Sequence, residues 1–195
     1  TIARSTDNGS SFNNATSPTS NILYGVTHGN NTFVAVGGPG SIVRSTDNGS
    51  SFNNATSPNT NYFLGVSFGN NTFVAVACMG CGSSSSVNIV RSTDNGITWD
   101  NATSRTANSL DGVGFGNNTF VAVGGSGNIV RSTDNGITWD NATTPNTKDY
   151  RGIVFGNNTF VAVGSGKTII ISTDNGSSFN TVTNPTTKNL WAVGF

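Results

Sequence analysis

The sequence repeats one unit of about 40 residues, and this repeat restricts the possible folds more than any other feature. The pentapeptide Ser-Thr-Asp-Asn-Gly begins at Ser5, Ser45, Ser92, Ser132 and Ser172. A second marker, Gly-Asn-Asn-Thr-Phe-Val-Ala-Val, begins at Gly29, Gly69, Gly116 and Gly156. Successive pentapeptides are 40 residues apart except once, where an insertion within residues 77–88 lengthens the interval to 47. A period of this length predicts a repeat architecture in which each unit packs on the next.

Each unit contains four short segments with the composition of β-strands, bounded by turn residues. In the second copy they span residues 62–68, 72–77, 89–92 and 98–101. Gly-Asn-Asn joins the first pair and Asp-Asn-Gly joins the second, and both favour tight turns because Asn and Gly tolerate positive φ. Four antiparallel strands in every 40 residues predict an all-β fold, a β-propeller of about five four-stranded blades. Residues 1–195 are therefore predicted to form a single repeat domain.

The composition excludes several classes of protein. Only 9% of the residues are charged, Lys and Arg balance Asp at nine each, and Glu is absent. A helix-rich protein needs the Glu, Lys and Leu that favour helices, and a nucleic-acid-binding protein needs net basic charge. No apolar run approaches the roughly 20 residues that span a membrane. Because 12 Phe, three Trp and repeated Val-Ala-Val runs are too apolar for disorder, we expect a globular protein.

Five segments around the pentapeptide resemble the Asp-box, or bacterial neuraminidase (BNR) repeat, whose pattern is Ser/Thr-x-Asp-x-Gly-x-Thr-Trp/Phe. Residues 92–99 and 132–139 match the pattern fully. Residues 5–12, 45–52 and 172–179 have Ser in place of Thr and Phe in place of Trp. The resemblance implies a β-propeller with Asp-box repeats. It does not specify a function, because Asp-boxes occur in sialidases, other glycosidases, lectin-like proteins, receptors and assembly factors.

The aspartates of these boxes are predicted to be structural. They are Asp7, Asp47, Asp94, Asp134 and Asp174. An Asp in a tight hairpin can accept hydrogen bonds from the backbone amides that follow it and so fix the turn. Calcium binding is the alternative, but one carboxylate in each loop cannot supply six to eight oxygen ligands. No metal site and no cofactor are therefore predicted.

The two ends of the chain align with different points of the repeat. Residues 1–5 correspond to the third strand in residues 168–172, and Phe195 corresponds to Phe155 at the end of a first strand. The counterpart of residues 156–167, which contain a second strand, is missing, so the chain is 12 residues short of five copies. Three arrangements remain open: a window of a longer array, a three-stranded last blade, or completion by a neighbouring copy.

The chain is rich in sequons of the Asn-x-Ser/Thr type. They begin at Asn8, Asn14, Asn30, Asn48, Asn54, Asn70, Asn101, Asn117, Asn141, Asn157 and Asn175. If they are glycosylated, the protein is secreted or at the cell surface and carries many sugars. The alternative is that Asn is present only for its turn chemistry. We expect an extracellular or cell-surface protein.

The inserted segment contains the only two cysteines, Cys78 and Cys81. In a secreted protein, this Cys-x-x-Cys pair predicts a local disulfide. A redox pair would lack its βαβ setting, and a zinc site would lack two further ligands.

One face of the predicted propeller differs between copies, whereas the Gly-Asn-Asn and Asp-Asn-Gly turns of the other face barely change. The most divergent position precedes the near-constant glycine of the innermost strand and lies near the channel mouth. The candidate ligand-binding residues on this face are Tyr24, Asp111, Asp149, Tyr150, Arg151 and Trp191. The aromatic rings can stack on sugars, and the charged groups can form hydrogen bonds. Drift in exposed loops after duplication is the alternative explanation of this divergence.

Catalysis by this chain alone is not expected. A sialidase needs a Glu paired with a Tyr nucleophile, and the chain has no Glu. The recurring arginines precede the Asp-boxes and are expected to lie along the blade surfaces, at Arg4, Arg44, Arg91 and Arg131. A glycosidase pair of carboxylates is conceivable only among Asp100, Asp111, Asp140 and Asp149. Of these, Asp100 and Asp140 follow the box Trp on outer strands.

The sequence therefore predicts a secreted, non-catalytic β-propeller that binds a glycan or an extracellular protein, with no nucleic-acid partner and no membrane insertion. Two alternatives stay open. One is a structural subunit of an extracellular filament or surface assembly, in which copies of the chain complete each other's blade. The other is a fragment of a larger Asp-box glycosidase.

Overall fold

The computed structural model describes residues 1–78, 88–104 and 108–195. Within these ranges the chain is almost entirely strand and turn, with a single 3₁₀ turn, η1, at Gly125–Gly127. An incomplete two-stranded sheet comes first, formed by β1 (Ile2–Arg4) and β2 (Asn13–Ala15). Four full antiparallel sheets follow it along the chain.

Each full sheet is a meander in which consecutive strands are hydrogen-bonded neighbours. The first contains β3 (Leu23–Gly29), β4 (Thr32–Gly37), β5 (Ile42–Ser45) and β6 (Asn53–Asn54). The second contains β7 (Tyr62–Gly69), β8 (Thr72–Cys78), β9 (Ile89–Ser92) and β10 (Asp100–Asn101). The third contains β12 (Leu110–Gly116), β13 (Thr119–Gly124), β14 (Ile129–Ser132) and β15 (Thr138–Asn141). The fourth contains β16 (Tyr150–Gly156), β17 (Thr159–Gly164), β18 (Ile169–Ser172) and β19 (Asn180–Thr181).

These sheets confirm the predicted all-β fold built from four-stranded blades. The turn chemistry agrees with the prediction as well. In the Gly-Asn-Asn turn of the third blade, Asn117 and Asn118 have φ of 46° and 57°. In the Asp-box turn of the same blade, Asn135 and Gly136 have φ of 59° and 78°. Asn and Gly are the residues that adopt this left-handed region at low cost.

The blades are held side by side at their inner strands, where glycine permits a close approach. Gly25, Gly65, Gly112 and Gly152 occupy the same place in successive blades. A Cβ atom built on any of the first three would lie 3.0–3.1 Å from a carbonyl oxygen of the next inner strand, and one built on Gly152 would lie 3.3 Å from Ala192 Cα. A larger side chain would push the neighbouring strand away, so this glycine sets the spacing of the blades.

The outer rim also links the blades. The segment that leaves one outer strand pairs in parallel with the outer edge of the next blade, as in β11 (Thr103–Ser104) beside β15. Single bridges occupy the same place elsewhere, between Thr16 and Ser51, Thr56 and Thr98, and Thr143 and Ser178. Arginines of the third strands reinforce this link: Nε of Arg44, Arg91 and Arg131 donates to the carbonyl oxygens of Asn95, Asn135 and Asn175 at 3.0–3.3 Å. The recurring arginine therefore joins its blade to the Asp-box turn of the next.

The apolar core lies between neighbouring blades. The box aromatics are buried there from the second box onward, namely Phe52, Trp99, Trp139 and Phe179. The central Phe-Val-Ala-Val segments of β4, β8, β13 and β17 supply about half of the remaining buried apolar side chains. Each blade thus covers the aromatic of its neighbour, which agrees with the stacking expected of a repeat protein.

Residues 190–195, which align with a first strand, form no strand in the structure. They still occupy the inner-strand place beside β16, since a Cβ atom on Gly152 would lie 3.3 Å from Ala192 Cα. The amide of Leu190 donates to the carbonyl of Gly164 at 3.0 Å.

The box aspartates accept dense hydrogen bonding from their own turns. In the third box, Asp94 accepts from the Thr98 amide at 3.0 Å and from the Ser92 hydroxyl at 2.8 Å. The Ser92 hydroxyl oxygen in turn accepts from the Gly96 amide at 2.9 Å. The same pattern recurs around Asp134. A carboxylate in this position satisfies backbone donors that the tight turn leaves unpaired.

We expect the free energy of unfolding to fall as the pH decreases from about 4 to 2. The Ser11 hydroxyl and then the Ser5 hydroxyl donate to Asp7 and lower its pKa to about 2. Partial burial opposes the shift at Asp174, yet hydrogen bonds from Ser178 and Ser172 still lower its pKa to about 2. A lowered carboxyl pKa stabilises the fold above the unfolded value near 4, and this stabilisation is lost as the pH falls through the folded value. Urea unfolding at pH 5, 4, 3 and 2 tests this, and an unchanged midpoint would contradict it.

Candidate functional site

Four of the six candidate binding residues lie together at one end of the inner strands. Asp111 is the second residue of β12, and Arg151 is the second residue of β16. These positions come side by side because Gly112 fits closely against the Arg151 carbonyl. Asp149 directly precedes β16, and Trp191 lies in the segment that runs beside β16. We call Asp111, Asp149, Arg151 and Trp191 the charged cluster.

Arg151 is the centre of the charged cluster. Its Nη1 donates to Oδ2 of Asp111, and its Nη2 donates to Oδ2 of Asp149 at 3.1 Å. Its Cζ lies 5.7 Å from the ring centroid of Trp191, within the range of a cation–π contact. The guanidinium is therefore held by two carboxylates and an aromatic ring, and it links the third and fourth blades to the segment that follows them.

The two carboxylates have different surroundings. The Asp111 side chain is only 10% exposed, and burial raises its pKa more than the bonded Arg151 guanidinium lowers it. Asp149 is more exposed and is fixed by its neighbours: its Oδ1 accepts from the Ser126 amide at 2.9 Å, and its own amide donates to Ser165 Oγ at 3.1 Å. When both carboxylates are ionised, the charged cluster has one net negative charge, because Arg151 neutralises only one of them.

The exposed part of the charged cluster has the chemistry of a binding surface. Trp191 is 69% exposed and offers a large apolar face. Asp149 offers an accessible carboxylate, and Arg151 is part-exposed between them. Aromatic and Arg side chains held in a fixed geometry are typical anchors of protein interfaces.

The other two candidates do not join this cluster. Tyr150 is fully buried, and its hydroxyl contacts Asn146 Oδ1 at 3.1 Å and Thr144 Oγ1 at 3.0 Å. Tyr24 lies on β3, separated from Asp111 by the whole β7–β10 blade. It lines a different surface, a cavity of about 420 Å³ beside β1.

Sequence reasoning placed Tyr150 on the surface although a signal for its burial was available. Successive residues of a regular strand point to opposite faces, which favours burial of only one of Tyr150 and Arg151. The position of Tyr150 is apolar or aromatic in every copy, and its equivalents Phe63 and Leu110 are fully buried. Ser126 and Ser165, which hold Asp149, were not anticipated because their role depends on how the loops pack.

The sequon asparagines are exposed, except Asn175, which is half-buried and donates through Nδ2 to Thr119 Oγ1 at 2.6 Å. Those of the Asn-Ala-Thr type lie on outer strands, at Asn14, Asn54, Asn101 and Asn141. Seven others lie in tight turns with positive φ, at Asn8, Asn30, Asn48, Asn70, Asn117, Asn157 and Asn175. Their glycosylation stays a prediction.

Of the two cysteines of the predicted disulfide, Cys78 lies within the described residues. Cys78 is buried at the end of β8, and its Sγ accepts a hydrogen bond from Ser109 Oγ at 3.5 Å. Cys81 lies outside the described residues, so the Cys78–Cys81 pairing stays a prediction.

In residues 1–78, 88–104 and 108–195, no three His, Cys, Asp or Glu side chains come together as a possible metal site. Within the same ranges, none of the helical structure is long and apolar enough to cross a membrane.

Comparison of the sequence with protein families identifies the repeat. The BNR/Asp-box repeat model matches residues 90–101 and 130–141. Each match contains one of the two boxes that fit the pattern fully, with two residues on either side of it. The chain thus carries Asp-box repeats. A search of curated protein sequences gave no match.

Comparison with solved structures identifies the fold. YCF48 from Cyanidioschyzon merolae is 18% identical, with a TM-score of 0.67 over 91% of this chain and 61% of that one. YCF48 bound to D1 peptide is 17% identical, with a TM-score of 0.71 over 99% of this chain and 64% of that one. An ancestral GH74 enzyme is 19% identical, with a TM-score of 0.77 over 97% of this chain and 29% of that one. At these identities the likeness shows the β-propeller fold alone, and the chain spans less than two thirds of each structure.

Proposed function

We propose that this chain is a non-catalytic β-propeller module that binds a segment of another protein through the charged cluster. The observation that carries the proposal is the arrangement around Arg151, which binds Asp111 and Asp149 and stacks on the exposed ring of Trp191. This arrangement lies on the face where the copies differ most. A site shared by all blades would keep the same residues in each copy, whereas this one is built from residues that occur once.

A protein partner fits this surface better than a glycan. Recognition of sugars relies on exposed aromatic rings that stack on them. Tyr150 is buried and Tyr24 lies on another surface, so Trp191 is the one aromatic candidate left in the cluster. Arg151 also covers one face of that ring. One structural neighbour, YCF48, was solved with a peptide bound, which supports the proposal by analogy of fold only.

The geometry of the carboxylates supports a non-catalytic role. Asp111 and Asp149 are both bonded to Arg151, so each carboxylate is engaged with the cation between them. Asp100 and Asp140 lie on the outer strands β10 and β15, away from the inner strands. A glycosidase needs two carboxyls that face one substrate, one of them free to donate its proton.

The proposal also places the protein outside the cell. The sequons support this extracellular location, because almost all of their asparagines are exposed and can be reached by a glycosylating enzyme. Intact mass of the protein purified from its natural source tests this part separately, because each attached glycan adds mass to the 20.0 kDa chain.

Replacement of Trp191 by alanine is expected to weaken partner binding about thirtyfold, the loss typical of an interface anchor worth about 2 kcal/mol. Binders should first be selected from peptide and glycan arrays, and their affinities then measured by calorimetry. Tyr24→Ala is the matched control, since it removes an exposed aromatic from another surface and should leave affinity unchanged. The proposal fails if selected peptides bind the Trp191→Ala protein as well as the wild type, or if the arrays give only glycan ligands.

A further inference from the structure

Two of the Asp-box turns have identical sequences but different side-chain contacts. Residues 88–103 and 128–143 both have the sequence NIVRSTDNGITWDNAT. Each contains an Asn-Gly pair, which is Asn95-Gly96 in the second blade and Asn135-Gly136 in the third. Because the local sequences are the same, a difference in reactivity between the two pairs must come from their tertiary surroundings.

An Asn-Gly pair can deamidate in water without an enzyme. The glycine nitrogen loses its proton and forms a bond to Cγ of the asparagine. The bond between Cγ and Nδ2 then breaks, and ammonia leaves with that proton, so that a cyclic succinimide remains. Water opens the succinimide at either of its carbonyl carbons and gives aspartate or isoaspartate. Glycine favours the first step because it has no side chain to obstruct the attack.

The backbone of the two turns is held in the same way. In each turn the glycine amide donates to the hydroxyl oxygen of the box serine at 2.9 Å. The asparagine carbonyl accepts from an arginine Nε of the preceding blade, at 3.1 Å from Arg44 and at 3.0 Å from Arg91. The glycine nitrogen must leave its acceptor before it attacks Cγ, so both turns should react more slowly than the unfolded chain. These backbone contacts do not distinguish the two sites.

The asparagine side chains of the two turns do differ. Asn95 is half-buried and donates through Nδ2 to Thr32 Oγ1 at 2.6 Å. Its Oδ1 is buried and has no hydrogen-bond partner among the described residues. Asn135 is exposed, and its Oδ1 accepts from Asn70 Nδ2 at 3.1 Å. The leaving nitrogen is therefore bonded at Asn95, whereas at Asn135 the carbonyl oxygen is bonded to a donor.

We propose that Asn135 is a site of spontaneous deamidation and that Asn95 is protected from the same reaction. When the glycine nitrogen attacks Cγ, negative charge develops on Oδ1, and at Asn135 the Asn70 amide stabilises that charge. At Asn95 the charge would develop on a buried oxygen that has no donor, which raises the barrier. The bond to Thr32 also opposes the rotation that brings Cγ to the glycine nitrogen.

The product would change the Asp-box turn of the third blade. Either product adds a negative charge to a turn that already contains Asp134, and isoaspartate also lengthens the backbone by one carbon atom. This inference is independent of the charged cluster and of the function proposed for it.

The test is peptide mapping of the full, unglycosylated chain after incubation at mildly alkaline pH. Trypsin releases the two sites in different peptides, STDNGITWDNATSR from residues 92–105 and STDNGITWDNATTPNTK from residues 132–148. Tandem mass spectrometry then assigns the change from amide to carboxyl to a residue. Asn135 should deamidate about tenfold faster than Asn95, the factor that corresponds to one hydrogen bond of typical strength. In urea both sites should react at one common, higher rate.

The contact with Asn70 is tested by Asn70→Gly, which removes the donor to Asn135. Glycine also accepts the positive φ of 47° at this position. The substitution should slow deamidation of Asn135 to about the rate of Asn95. Asn30→Gly is the matched control, because Asn30 has the same place in the first blade but donates to Asn71. It should leave both rates unchanged.

The protection of Asn95 is tested by Thr32→Val, which removes the acceptor of its side chain and preserves the shape of the buried residue. Asn95 should then deamidate faster. Thr72→Val is the control, because Thr72 has the same place in the second blade and donates to the Asn70 carbonyl. It should leave the rate at Asn95 unchanged. If Thr32→Val does not fold, the Asn70→Gly and Asn30→Gly pair decides alone.

Equal rates of deamidation at Asn135 and Asn95 in the folded wild type would overturn the proposal. An unchanged rate at Asn135 in the folded Asn70→Gly protein would overturn it as well, since the donor to Oδ1 would then have no effect on the reaction.

Discussion

Replacement of Trp139 by alanine is expected to lower the free energy of unfolding by about 3–5 kcal/mol. Trp139 is 1% exposed and packs in the core cluster between the second and third blades. Its ring lies 6.4 Å from that of Phe120, and its Nε1 donates to the Gly136 carbonyl at 3.1 Å. The substitution leaves a cavity that surrounding strands cannot fill, and it leaves that carbonyl without its donor. Urea unfolding followed by far-UV circular dichroism measures the loss.

The chain contains its own control for this prediction. Phe12 is the aromatic of the first box, at the place that Trp139 holds in the fourth. It is largely exposed, so Phe12→Ala should change the free energy of unfolding by no more than about 0.5 kcal/mol. Equal destabilisation by the two substitutions would contradict the view that packing between blades, and not the box itself, holds the aromatic.

The parts of the fold that could be predicted from the sequence are those with local causes. The turns follow from Asn and Gly at positive φ, as at Asn117 and Asn135. The strands follow from short apolar runs between these turns, and the repeat places four of them in each blade. Residues 190–195 differ because strand formation also needs a partner, and no strand among the described residues pairs with them.

The charged cluster could be predicted only in part. The divergence of the position before the inner glycine singled out Asp111, Arg151 and Trp191, and the register of the inner strands does bring them side by side. The pairing of Arg151 with two carboxylates depends on side-chain geometry across blades, which periodicity cannot provide. The sequence also grouped Tyr24 with these residues, because an alignment of the copies shows equivalent positions but not the distance between their blades.

The second large effect is expected at Gly124, where alanine should lower the free energy of unfolding by about 3 kcal/mol or more. A Cβ atom there would lie 1.9 Å from the Ser109 carbonyl oxygen and 2.8 Å from Leu110 Cα. Both atoms belong to the backbone, so no side-chain rotation relieves the clash, and the first pair of strands in the blade must separate. Urea unfolding measures the loss, and Gly194→Ala is the control because no atom lies within 4 Å of its Cβ position.

The second blade explains why alanine is tolerated at the equivalent place there. Ala77 is the counterpart of Gly124, and it lies opposite Phe63 as Gly124 lies opposite Leu110. In that blade the strand pairing continues for one further pair, Tyr62 opposite Cys78, so the incoming chain stays beside the strand instead of crossing over it. Alanine at position 124 is therefore expected to be destabilising because the backbone of Ser109 and Leu110 crosses over it. If Gly124→Ala unfolds at the same urea concentration as the wild type, the backbone at Ser109 and Leu110 can move aside. Glycine at position 124 would then have no steric role.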